Sequence, residues 1–114
     1  MAGTDYPNKD SYQSWVTDLQ LIATDAPSGH KIIVECLDIA EMLIKKNISY
    51  GDSALSPIRI FSQADNQEQI KIRIDDKINR IKNGSGFAGD NDIDDMIGYL
   101  ILLKIAKKLA IAVN

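Results

Sequence analysis

Residues that carry covalent or metal chemistry are scarce in this chain. Among 114 residues there is one cysteine, Cys36, one histidine, His30, and one tryptophan, Trp15. A lone cysteine makes no disulfide within the chain, and no zinc-ligand spacing accompanies it, so a reduced intracellular setting is expected. His30 stands beside a Ser-Gly turn without a partner at metal spacing and reads as a helix-start residue. With no other imidazole in the chain, no serine or cysteine nucleophile has a convincing base. A basic surplus is missing too: 13 lysines and arginines against 16 acids leave a net charge of −3. That gives no global attraction to nucleic acid or to an anionic membrane, so an anion site has to be a local basic cluster. No G-x-x-x-x-G-K-[ST] string occurs, which excludes a P-loop kinase. The apolar stretch "MIGYLILLKIAKKLAIAV" is interrupted by three lysines and suits a buried helix better than a membrane span. "MAGTDYPNKD" lacks the basic and apolar regions of a signal peptide, so the expected location is the cytoplasm.

What is present is an ordinary globular composition, 45% hydrophobic and 25% charged. A chain of this length forms one domain that buries roughly two-thirds of its unfolded surface without a covalent staple. Residues 1–10 read as a flexible tail and residues 11–114 as a single helical domain. Trp15, Leu19 and Ile22 have helical spacing, and "DAPSG" breaks that segment. From Lys31 to Lys46, Ile33, Leu37, Ala40 and Ile44 form one stripe, with Ile32, Cys36, Ile39 and Leu43 beside it. Together they predict a helix with a wide buried face. In "QIKIRIDDKINRIK", Ile70, Ile72 and Ile74 alternate like a strand, yet Ile70, Ile74, Ile78 and Ile81 keep helical spacing for longer, so a helix is expected. The last helix starts near Asp90, with Asp92, Asp94 and Asp95 complementing its dipole. Being apolar nearly all round, it is expected to be central and to meet another subunit. The fold expected is all-α, a compact oligomeric bundle of four or five helices.

Residues 49–62, "SYGDSALSPIRIFS", link two of these helices with more special residues than a plain connection needs. Pro57 suits the start of a short helical turn. Tyr50 and Phe61 offer rings to stack on a base, and Ser53 and Ser62 offer hydrogen bonds. Gly51 and Pro57 shape the turn, and Arg59 is set to meet a phosphate. On the next helix Arg73, Lys77 and Arg80 share a face, the plainer reading being a solvated face paired with Asp75 and Asp76. Asp76, Asp92 and Asp95 are candidate ligands for Mg²⁺, although first-turn acids and an Asp76–Arg80 pair explain them without a metal. "GSGFAG" at 84–89 spells G-x-G-x-x-G, but a helix precedes it and "DNDIDD" follows, so it reads as a glycine linker.

Three blocks, "KKNISYGDSALSPIRIFS", "IRIDDKINRI" and "DDMIGYLILLKIA", resemble in this order small proteins of bacteriophage genomes near the nucleotide-modification-associated domain 1 family. That family is related more distantly to the all-α MazG-like nucleotide pyrophosphohydrolases. The resemblance covers about residues 33–106. It implies a MazG-like fold, a phage origin with action in the host cytoplasm, and a nucleotide ligand. It singles out Tyr50, Gly51, Ser53, Arg59, Arg73, Asp76, Lys77, Arg80 and Asp95. MazG-like enzymes carry E-E-x-x-E on one helix and E-x-x-D on the next. Asp75, Asp76 and Asn79, then Asp92 and Asp95, fall at those positions, and Asn79 lacks the third acid's charge. Two functions are therefore expected to compete. One is a homo-oligomeric protein, paired through its C-terminal helix, that sequesters a small or cyclic nucleotide as a viral counter-defence. The other is a Mg²⁺-dependent pyrophosphohydrolase, or an accessory of phage nucleotide modification, with Asp76, Asp92 and Asp95 on the metal. A helical protein–protein adaptor is the third and blandest reading.

Overall fold

Segments whose apolar residues recur every three or four positions fold as helices, and the computed structural model contains four α-helices among the residues it describes. It describes residues 6–62, 64–84 and 91–113, with side chains to residue 110. Residues 1–5 of the expected tail, the G-x-G-x-x-G string beyond Gly84 and the expected helix start at Asp90 lie outside these. A short 3-10 turn, Lys9–Ser11, leads into α1 (Tyr12–Ala23), α2 (Gly29–Tyr50), α3 (Asn66–Asn83) and α4 (Asp92–Val113). No strand occurs among the described residues, so the protein is all-α. No helix among them is long and apolar enough to cross a membrane.

Helix ends follow local chemistry. The Asp65 carboxylate accepts from the Gln67 backbone N–H at 2.7 Å and caps α3. Asn91 does the same for α4, accepting from the Asp94 N–H at 3.1 Å. α2 runs through Ser49 and Tyr50, beyond its expected end at Lys46, and stops where Gly51 turns left-handed at φ 62°. Pro57 does not start a helical turn. Asp52 closes the turn before the proline is reached: its carbonyl accepts from Leu55 and Ser56 at 3.1 and 2.8 Å. Its carboxylate accepts from the Asn47 amide at 2.8 Å and the Ser56 hydroxyl at 3.3 Å.

α4 is the organising helix. α3 packs along it and α2 packs on it, while α2 and α3 do not pack on each other. Ile70, Leu102 and Ala106 form the core, with Leu43, Leu55, Ile74 and Tyr99 packed around them. Burial of Ile70, 2% exposed, contributes about 1.5–3 kcal/mol. Ala54 and Leu55 pack against that cluster and pin the start of the loop to the core, while Ile58, Ile60 and Phe61 stay exposed.

The wide face expected to be buried on α2 is covered only in part. Ile39 is buried and Leu43 partly so, but Ile32, Cys36, Leu37, Ala40 and Ile44 are exposed. The physical reason is a shortage of helices. α4 reaches one edge of the face, and among the described residues α1 is the only other helix whose backbone comes close to α2. α1 itself joins at a tight corner, where a Cβ on Gly29 would stand 2.7 Å from the Ala23 carbonyl oxygen.

Candidate functional site

α2 and α3 both rest on α4, and among the described residues their backbones do not come close to each other, which leaves a gap. The gap is a cavity of about 550 Å³, roofed by the loop. Its lower wall is apolar, from Leu43, Ile70 and Leu102. α2 presents Met42, Lys46, Asn47 and Tyr50 to it at the spacing of one helix face. α3 adds Gln69 and Arg73, α4 adds Asp95 and Tyr99, and the loop adds Ser53. Two tyrosine rings, two cations, one acid and several amide or hydroxyl groups therefore border one hollow.

One end of the hollow is fixed by an ion cluster that ties the three helices together. The Asp95 carboxylate accepts from Lys46 Nζ at 2.7 Å on one oxygen and from Lys77 Nζ at 3.0 Å on the other. Lys77 also reaches Asp92 at 3.4 Å. Burial opposes the charge on Asp95, but the hydrogen bonds from Lys46 and Lys77 outweigh it and hold the carboxyl below the usual aspartate range. The hydrogen bond to Asp95 lifts Lys46 above the ordinary lysine value. For Lys77 burial acts downward, and the bonds to Asp95 and Asp92 more than reverse it. A carboxylate so stabilised is a weak base, which suits a positioning part better than proton abstraction.

The same geometry bears on the expected magnesium. The Lys77 ammonium lies between Asp92 and Asp95, where a shared divalent ion would have to sit. Asp76 is exposed on α3 and does not join them. Among the described residues no three acids, histidines or cysteines gather as ligands. With Lys77 in that position the donor set does not fit a divalent cation.

Arg73 differs from the two lysines. It lines the cavity and forms no ion pair among the described residues. It is an exposed residue, and its planar fork of donors faces no carboxylate among the described residues.

Of the residues expected to bind a ligand, Tyr50, Ser53 and Arg73 line the cavity, as does Asp95 from the expected metal set. Gly51 shapes the turn that follows Tyr50. Lys77 stands behind Asp95 and outside the lining, as does Arg80 one turn further on. Arg59 faces the loop's own return, donating to the Ala64 carbonyl and to the Asn66 side chain. The Asn66 amide in turn donates to the Leu55 carbonyl at 2.7 Å, so Arg59 and Asn66 clasp the loop shut. The Ser62 hydroxyl accepts from the Ala64 N–H at 3.2 Å within that same return. Phe61 is 95% exposed and away from the wall.

Lys46, Asn47, Gln69 and Tyr99 line the cavity without having been expected there. Lys46 stands four residues before Tyr50, and Tyr99 four after Asp95, so the one-turn spacing carried the signal for both. Known protein families, curated proteins and solved structures offer no match to this chain. The cavity's own chemistry therefore carries the functional reading.

Proposed function

We propose that the cavity holds a small nucleotide and does not turn it over. The carrying observation is Arg73, a guanidinium without a counter-ion among the described residues, on the wall of a hollow that also carries Tyr50 and Tyr99. Guanidinium forks suit phosphate oxygens, and tyrosine rings suit the faces of bases. At about 550 Å³ the hollow falls inside the roughly 300–1,000 Å³ span of small-molecule sites.

Charge limits the ligand. Lys46 and Arg73 on the wall, set against Asp95, leave one net positive charge. That matches a phosphodiester at about −1; a monophosphate, at about −1.5 to −2, already exceeds it slightly, and a triphosphate brings far more negative charge than the wall neutralises. A cyclic or linear low-charge nucleotide is the ligand class favoured. Retention without turnover is favoured because Lys77 occupies the position between Asp92 and Asp95, and because Asp95 is a weak base.

The resemblance to phage nucleotide proteins supplies the purpose: sequestering a nucleotide signal in the host cytoplasm. Titration calorimetry against mono-, di-, tri- and cyclic nucleotides is the test. Binding of a low-charge member, with the nucleotide recovered unchanged after incubation with Mg²⁺, is the expected result. No binding across the panel overturns the reading, and pyrophosphate release from a nucleoside triphosphate replaces it with hydrolysis.

A further inference from the structure

Two apolar faces of this chain are largely uncovered among the described residues. α1 has no buried residue, and Val16, Leu19 and Ile22 on one side of it are exposed. A helix of 12 residues is marginal by itself in water, so α1 needs something packed against it. On α2, Leu37, Ala40, Ile44 and Ile48 follow one another three or four residues apart as a single seam. Leu37 and Ile44 are each 61% exposed and Ile48 is 76% exposed. Such a seam is the mark of a helix with a partner, not of a solvated face.

The whole-chain surface points the same way. At 12.6 kDa a folded monomer exposes roughly 6,200 Å². This chain exposes 8988 Å², close to half as much again. The excess is of the order that each partner buries in an obligate interface, where the total runs to about 2,000–5,000 Å² or more.

We infer that a second copy of this chain covers α1 and the α2 seam. Each copy carries both unsatisfied faces, and their lengths correspond. α1 is roughly 18 Å long and the seam from Leu37 to Ile48 roughly 17 Å, at 1.5 Å per residue. Laying α1 of one copy on the α2 seam of the other, twice about a two-fold axis, satisfies all four faces and closes the assembly. The inference is independent of what the cavity holds.

The test uses the full chain. Sedimentation at micromolar concentration is expected to give a multiple of 12.6 kDa, with a melting temperature that rises with protein concentration. Cys36, exposed in the single chain at the edge of the seam, is expected to react slowly with a thiol reagent. The double variant Leu37→Asp, Ile44→Asp is expected to sediment as a monomer and to label at Cys36 about tenfold faster or more. A wild-type mass of 12.6 kDa with a concentration-independent melting temperature overturns the inference, whether or not the double variant folds. A folded double variant that keeps the wild-type mass, while Ile97→Asp on α4 abolishes it, also overturns it by moving the interface elsewhere.

Discussion

Along α3 and α4 an isoleucine, Ile70, is 2% exposed, while on α2 another at a comparable helical position, Ile44, is 61% exposed. The first half carries the enclosed core of Ile70, Leu102 and Ala106, the Asp95 ion cluster and Leu55 of the loop, although Ile72, Ile78, Ile93 and Leu100 on its outer sides are exposed. The second half, α1 with the outer side of α2, has the same residue types in the same periodicity and, among the described residues, no buried core of its own beyond Ile39. The difference teaches where function sits. The half with the enclosed core supplies Ile70, Arg73, Asp95 and Tyr99 to the cavity, and the exposed side of α1 and α2 carries the proposed interface.

The sharpest way to break this comparison is Ile70→Ala. Deleting a fully enclosed side chain is expected to cost about 2–5 kcal/mol in denaturant unfolding, at every protein concentration. Ile48→Ala, by contrast, is expected to act chiefly by weakening the concentration dependence of the melting temperature. Equal behaviour of the two variants would erase the distinction between core and interface.

Next in size is Arg73→Ala. Loss of a charge-assisted hydrogen bond is expected to weaken nucleotide binding by roughly ten- to a hundredfold, about 1.5–3 kcal/mol, measured by calorimetry. The melting temperature should stay put, since Arg73 makes no ion pair among the described residues. A matching loss of stability would assign Arg73 to the scaffold instead.

Asp95→Asn probes the cluster that joins the halves. Leaving Lys77 with only its longer contact to Asp92 is expected to cost roughly 1–3 kcal/mol. The pH dependence has a definite sign. The folded Asp95 value lies below the unfolded one, so its stabilisation is full above about pH 4 and is lost as pH falls further. Lys46 and Lys77 are raised, so theirs is full below about pH 10 and is lost on the alkaline side. Denaturation curves across pH should show a plateau between these limits, with the acid edge flattened in Asp95→Asn.

The smallest effect expected is from Gly51→Ala. A side chain at φ 62° costs roughly 1–2 kcal/mol and no neighbour would clash with it, so the loss is conformational alone. Thermal unfolding checks it.

Helix periodicity made the four helices legible, and Ile78 and Ile81 resolved the strand-like alternation of Ile70 to Ile74. What a periodic face meets was not legible. The α2 stripe reads as buried, and spacing alone does not say whether this chain or another does the burying. Tyr50 and Ser53 were recognisable as candidates from the residue types of the loop, and Arg73 from its place on a basic helix face. The bonds of Arg59 to Ala64 and Asn66 were not legible, because they form where the loop returns. The seat of Lys77 between two aspartates depends on how α3 lies against α4, which no local pattern encodes.

Whether the cavity holds a nucleotide intact is measured most directly by purifying the protein from cells that contain its nucleotides, denaturing it and identifying what is released by mass spectrometry. Release of an unaltered mono- or diester nucleotide from the wild type, and of much less from Arg73→Ala, is the expected result. Release of cleavage products, or equal release from both proteins, would contradict it.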